Sequence, residues 1–416
     1  MRILKICFFI LLPACLFAQT DANKLLEKAK AEMKRTDGPP DYITAGKWLE
    51  DVVKILPNNA EAWYYYGCAI DRYNHNDGEA IINSNEALTE NTSLSFENAL
   101  QITNDKYTGD ILLLDPHTKI LAAWGAQALY YAYNNNRDSA EWCLKQALIR
   151  GGINRTVAVY FRQVMDECAR GAYLFTTGDM YTYYMMYLQL VEHYRPDVTC
   201  VDLNLLNTQW YPLWLLQKGY VTYSNGLELA KVKTTHWDAK EDSIPNKNPV
   251  YPDSPIVWHL RPTQGNTLLR SDQLLLDILQ QNAFIKPVFF SGDVPSNMQL
   301  YLDDYLLTRG LTDRLLPIEE AENEEELTLR LKRLPVLSPD GTYLNNKDNI
   351  QVLNNYRFAY TTVATIASDN GHTDVAKDLI ETADRKYPEN LLPFFADATK
   401  QWFVGLRKKA ESGDKL

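Results

Sequence analysis

Two hydrophobic periods occupy different parts of this 416-residue chain, and no single regular fold accommodates both. Toward the ends, apolar residues recur every three to four positions, as on a helix face; in the middle, short apolar runs alternate with such helices. The first helical copy puts Trp63, Gly67 and Ile70 on one face, with Pro57 six residues before the Trp and Ala80 and Ala87 on the following helix. Ala45, Leu49 and Val52 fill the second-helix positions of a unit before it. A second copy has Trp124, Ala128 and Tyr131, a turn at Asn134-Asn135-Asn136, then Ala140, Leu144 and Ala147. The third has Tyr360, Ala364 and Ala367, Gly371 in the turn, then Ala376, Ile380 and Ala383, closed by Pro388. Small residues such as Gly67, Ala128 and Ala140 let neighbouring helices approach, while large ones fill the grooves between them.

From Ala172 the texture changes. Residues 172–177 are β-prone and end at Gly178-Asp179; 181–194 read as a helix, broken by Arg195-Pro196-Asp197; 198–203 form a second buried strand, followed by a helical stretch to Lys218. Further strands are expected at 256–260 and 287–290, with helices at 271–281 and 298–307. This alternation implies a mostly parallel sheet with helices on its faces. The polar segment from Lys231 to Pro255 reads as a surface excursion, Glu319 to Glu326 as the solvated start of a connector, and Leu391 to Leu406 as a capping helix. The expected fold class is mixed: α-helical hairpins flanking a central α/β domain. The divisions are 1–18, 19–168, 169–320, a connector at 321–356 and a closing hairpin with its cap at 357–416.

Residues 1–18 have the form of a processing signal, with Arg2 and Lys5 before an apolar run from Ile6 to Ala18 that is too short to span a bilayer. Cleavage after Ala18 is expected, and Cys15 in Leu12-Pro13-Ala14-Cys15 offers the rival of a lipidated N-terminus. The mature chain is therefore expected to be exported, periplasmic or outer-membrane-associated, without a stable membrane span. The net charge of −11 over all 416 residues argues against nucleic-acid partners and anionic membrane surfaces, which need a basic face. Cys68, Cys143, Cys168 and Cys200 contain no C-x-x-C, and their pairing stays open. The six histidines show no metal-ligand spacing, and the P-loop, dinucleotide and nucleophile-elbow motifs are missing, so no metal or cofactor is expected.

The hairpin spacings resemble the tetratricopeptide repeat. The middle of the chain, over about Gly171 to Ile318, resembles the soluble C-terminal region of multi-spanning, protein O-mannosyltransferase-like membrane proteins of Bacteroidetes-type bacteria and animals. That resemblance is carried by Phe175-Thr-Thr-Gly178-Asp179 with Thr182, Arg195-Pro196-Asp197-Val198, Asp202-Leu-Asn-Leu-Leu-Asn207-Thr-Gln-Trp210-Tyr211, Pro287-Val-Phe-Phe290 and Tyr305-Leu-Leu-Thr-Arg-Gly310. The family has Asn-Asp after its Gly-Asp, where this chain has Met180-Tyr181, and its membrane-embedded helices have no counterpart here. The resemblance implies a stand-alone relative of the accessory region and implies no transferase activity.

Ligands of open parallel sheets gather at the C-terminal strand ends. The candidate ligand contacts are accordingly Gly178, Asp179, Thr182, Asp202, Asn204, Asn207, Trp210 and Tyr211, whose carboxylates, amides and aromatic faces suit a sugar or another polar ligand. The bland reading of the same residues is that Asp179 and Asn207 cap helices and Trp210 and Tyr211 pack as core. Tyrosine outnumbers phenylalanine by 26 to 13, and Tyr64, Tyr65, Tyr130 and Tyr133 on repeat helices are the candidate contacts with a protein or peptide partner. The first functional expectation is a non-catalytic exported scaffold; the alternative is a glycan-binding or glycan-processing subunit.

Overall fold

The computed structural model describes residues 19–252, 254–337 and 341–416, so the leader reading, Cys15 included, lies outside the described residues. Chain contacts divide the protein between Ile153 and Asn154 into two compact units. Among the described residues no helix is long and apolar enough to cross a membrane.

The first unit is helical: α1 (19–33), α2 (Tyr42–Ile55), α3 (Ala60–His75), α4 (Glu86–Ile102), α5 (Pro116–Tyr133) and α6 (Arg137–Ile149), with successive helices from α2 onward packed together. Asp41, Asn59, Asn85, Asp115 and Asn136 cap α2 to α6, each accepting an N–H of the first turn. The Trp63 indole donates to the Pro57 carbonyl at 2.8 Å, which accounts for their six-residue spacing. A Cβ on Gly67 would stand 3.0 Å from the Phe96 ring, so α3 and α4 approach as the small residue suggested.

The first copy departs from expectation at its second helix. Ala80 lies among short 3-10 turns at Asn76–Gly78 and Ile81–Asn83, and α4 begins only at Glu86. Asn76 and Asp77 turn left-handed at φ 45° and 52°, and the buried Asn74 amide accepts from the Asn85 N–H at 2.9 Å, so side-chain bonding to the loop outcompetes helix continuation.

A buried polar chain runs through this unit. Lys119 pairs with Asp71, Asp71 meets His75 Nδ1 at 2.9 Å, His75 Nε2 meets Ser84 Oγ at 2.9 Å, and Ser84 donates to Gln127 Oε1 at 2.7 Å. Burial alone would raise the Asp71 carboxyl, but the Lys119 ammonium and His75 hold it well below the usual carboxylate range. Lys119→Met strands that carboxylate, and we expect the first unit to lose about 3–5 kcal/mol in chemical denaturation, with partial recovery in Asp71→Asn/Lys119→Met. Equal stability of the single variant and the parent would refute the role given to this pair.

In the second unit α7 (Arg155–Glu167) leads into β1 (Tyr173–Thr176), α8 (Asp179–Leu190), β2 (Thr199–Asp202) and α9 (Tyr211–Gln217). After β3 (Thr235–His236), β4 (Lys240–Ile244), β5 (Ile256–Leu260) and β6 (Thr267–Leu268) come α10 (Arg270–Asn282), β7 (Val288–Ser291), β8 (Leu306–Thr308) and β9 (Thr312–Leu315). The unit closes with α11 (Glu324–Lys332), α12 (Lys347–Leu353), α13 (Asn355–Asp369), α14 (Thr373–Lys386) and α15 (Asp397–Ser412). The main sheet has the order β2-β1-β7-β9-β8, with β1 parallel to both β2 and β7 and β9 antiparallel to β7 and β8. Every residue of β1 and β7 is buried, as expected for strands covered on both faces, and Phe175 stacks on Phe290 at 5.3 Å.

Two strand-stage expectations change. Residues 256–260 do form a strand, but β5 pairs antiparallel with β4 in a separate ribbon, because its burial alternates and leaves one face to solvent. The expected helix at 298–307 is instead a pair of 3-10 turns leading into β8, since Leu300 and Tyr301 sit at φ 57° and 56°, where an α-helix cannot continue. α13 and α14 match the third hairpin, with Ala364, Ala367, Ala376 and Ala383 buried. Cys68, Cys143 and Cys168 are buried and Cys200 partly so, all as free thiols.

Glu167, at the end of α7, accepts from Leu311 N–H at 3.0 Å and Thr312 Oγ at 2.9 Å, tying α7 to the start of β9. Burial pushes its carboxyl up to about 8 against those bonds. The folded chain thus retains a proton that the unfolded chain loses near pH 4.5, so this group's stabilisation is complete below that pH and is lost as pH rises toward 8. Glu167→Gln should flatten the decline between pH 5 and 8 in thermal melts, and an unchanged decline would exclude Glu167 as its source.

Candidate functional site

Because β1, β2 and β7 run parallel in a register that sets Thr176 opposite Asp202 and Phe175 opposite Phe290, their C-terminal ends emerge on one edge. Gly178 adopts φ 83°, ψ 165°, a conformation essentially confined to glycine, and turns β1 directly into α8. Asp179 opens the first turn of α8. Thr182, one turn on, donates to Asp202 Oδ2; Asp202 Oδ1 accepts the Leu205 N–H at 2.8 Å. Asn204 is exposed and bridges to Thr177 Oγ1 at 2.8 Å. The structure therefore brings Gly178, Asp179, Thr182, Asp202 and Asn204 to one strand edge.

It does not bring Asn207, Trp210 and Tyr211 there as ligand contacts. Asn207 Oδ1 accepts the Ser271 N–H at 3.0 Å and so holds the start of α10. Trp210 and Tyr211 are each 4% exposed, pack on one another and on Trp214, and the Tyr211 hydroxyl accepts from Asp202 N–H at 3.2 Å. The cap-and-core reading holds for these three.

The edge also contains groups that sequence reasoning passed over. Asp293 follows β7 as Asp179 follows β1, and accepts from Ser291 Oγ at 2.5 Å. Behind it, Tyr181 and Tyr160 hydroxyls meet at 3.0 Å and both accept from Asn355 Nδ2, at 3.0 and 3.1 Å. Burial, with the negative charge of Asp202 added, pushes Asp293 up to about 6, while Ser291 and the Tyr181 hydroxyl oppose the rise. Burial likewise raises Asp202 against Thr182 and backbone N–H donors. The signal in the sequence was a repeated strand ending: Phe175-Thr-Thr-Gly178-Asp179 and Phe290-Ser-Gly292-Asp293 both close an apolar strand with a hydroxyl residue, glycine and aspartate. Of these two carboxyl groups Asp202 is bonded within the fold, whereas Asp293, able to exchange a proton near neutrality, can accept hydrogen bonds from a hydroxyl-rich ligand.

The proposed partner-contact tyrosines of the first unit divide. Tyr64 and Tyr65 have no exposed surface, since α3 is packed by α2 and α4, and their hydroxyls are spent on Leu114 O and Asp110 Oδ2, both at 2.8 Å. They are core and cannot touch a partner. Tyr130 and Tyr133 are partly exposed near the end of α5.

The TMEM260-associated domain 2 family matches residues 158–255 and 239–332, a span that contains the whole strand edge. The chain is also 23% identical over 163 residues to the protein O-mannosyl-transferase tmem260 of Dictyostelium discoideum, an alignment covering 39% of this chain and 16% of that relative. Through the region that builds the strand edge, the protein is TMEM260-related.

Proposed function

We propose that the α/β region recognises a glycan or a glycosylated chain at the C-terminal ends of β1, β2 and β7. The observation that carries this reading is the Asp293 carboxyl beside Ser291, with Asp202 holding Thr182 and the turn that presents Asn204 at the same edge. The Dictyostelium relative, a protein O-mannosyl-transferase by name, supplies the link to sugars; its transferase activity is a property of that protein, of which only 16% is aligned. In the same proposal the hairpins, tetratricopeptide-like in the spacing of small and large residues, carry a protein or peptide partner, with Tyr130 and Tyr133 as the remaining candidate contacts. The leader pattern of residues 1–18 supports a site of action in the bacterial envelope.

Glycan-array binding by the purified chain tests the reading. Asp293→Asn should weaken retention about tenfold, the effect of losing a hydrogen bond to a charged group, and Asp202→Asn should weaken it by loosening Thr182 and the turn at Leu205. Retention should fall below pH 6, as Asp293 takes up its proton, and Asp293→Asn should remove that dependence. A chain that binds no glycan, yet captures an envelope protein equally well as parent and double variant, would leave the scaffold and sink the glycan reading.

A further inference from the structure

Away from the strand edge, a cavity of about 260 Å³ lies between α10 and the chain from Leu227 to Trp237. α10 lines it with Gln273, Leu276, Asp277 and Gln280, the i, i+3, i+4 and i+7 stripe of a single helix face. That stripe is unusual in what it has left to offer. Gln273 Nε2 donates to Lys233 O at 2.7 Å, and Gln280 Nε2 donates to Ser243 O at 2.9 Å and Asp242 Oδ1 at 3.2 Å. Because those partners are acceptors only, they fix which end of each amide is nitrogen. Asp277 Oδ2 accepts the Ser224 N–H at 2.9 Å. Gln273 Oε1, Asp277 Oδ1 and Gln280 Oε1 make no hydrogen bond among the described residues, so the helix presents a row of acceptors with its donors already used.

The remaining wall narrows the ligand class. Trp237 spends its indole N–H on Leu260 O at 3.1 Å and has only its ring to offer the cavity. Lys240 Nζ already stands 4.0 Å from that ring, which fills the cation position and repels a second ammonium. An anion would meet the Asp277 carboxylate and two amide oxygens, with no free donor among the lining side chains. What fits is a neutral ring with outward hydroxyls to donate and an apolar C–H face to lay on Trp237 and Leu276. The volume is below the roughly 300–1,000 Å³ of drug-sized sites, which suits a single ring rather than an extended chain.

We propose that this groove is a saccharide subsite taking one neutral pyranose, its ring against Trp237 and its hydroxyls donating to Gln273, Asp277 and Gln280. The subsite stands on its own lining and does not require the strand edge to bind anything. Ligand-observed NMR titration of the full chain with methyl α-mannopyranoside and methyl β-glucopyranoside tests it, with tetramethylammonium chloride and inorganic phosphate as charged probes. Saturable binding of a methyl pyranoside is expected, weakened about tenfold or more in Trp237→Ala and in Asp277→Asn, with the fold of both checked by circular dichroism. No saturable pyranoside binding, or binding of a charged probe in preference, would overturn the proposal. Loss in Asp293→Asn with retention in Trp237→Ala would also overturn it, by moving the sugar to the strand edge and leaving the reading of that edge intact.

Discussion

One buried guanidinium organises the ligand-facing half of the α/β region. Arg270, 4% exposed at the first residue of α10, donates to Leu206 O at 2.7 Å and Thr208 O on one side, and to Leu229 O at 2.9 Å and Val232 O at 3.1 Å on the other. A planar fork with five donors can satisfy carbonyls from two segments at once, which a lysine ammonium on a flexible stem cannot match. The turn after β2 and the loop facing α10 are therefore fixed by the same side chain. Without that anchor, residues 219–234 would be a long connection with little regular structure, the kind of segment that rarely stays ordered unless it is held. With it, the loop becomes the wall of the α10 groove, and Asn207 is placed to accept the Ser271 N–H beside the guanidinium.

This anchoring explains what was and was not legible in the sequence. Local signals survive when local physics decides them: the Asx caps of α2 to α6, the glycine at 178 whose backbone other residues avoid, and the apolar runs that became β1, β2 and β7. The strand edge was legible through Gly178, Asp179, Thr182, Asp202 and Asn204 because strand ends are marked by turn residues. Trp210 and Tyr211 were adjacent in sequence to that edge but turned inward, and Asn207, though exposed, is claimed by the Ser271 N–H of α10. Asp293 escaped notice because Tyr181, which bonds it, and Tyr160 and Asn355, which bond Tyr181, come from three distant stretches of the chain.

Tyr181 shows how a departure from a family pattern can be misread. It stands where the resembled family has Asp. The ring instead fills core against Phe161 at 4.9 Å while its hydroxyl reaches the Asp293 environment. A tyrosine is long enough to serve packing at one end and a hydrogen-bond network at the other, so the tyrosine excess is spent largely inside the molecule. Tyr64, Tyr160, Tyr184, Tyr360 and Tyr387 are all essentially without exposed surface, and each buried hydroxyl has found the partner that an equally buried phenylalanine would not need.

The same constraint governs carboxylates, and there it separates structure from site. Asp71 is buried and kept ionised by Lys119, so its charge is bound to one geometry. Asp202 is buried and raised, but Thr182 and the Leu205 N–H hold both of its oxygens. Asp293 and Asp277 differ in keeping part of the carboxyl accessible: Asp293 takes Ser291 at its strand end, and Asp277 takes Ser224 with one oxygen and leaves the other to the groove. A carboxylate whose every acceptor position is filled stabilises a fold, whereas one left half satisfied at the rim of an ordered wall lowers its free energy further by taking a donor from outside. On that criterion the α/β region has two places prepared for hydroxyl-bearing ligands, and Arg270 holds the loop wall of the α10 groove and the turn after β2.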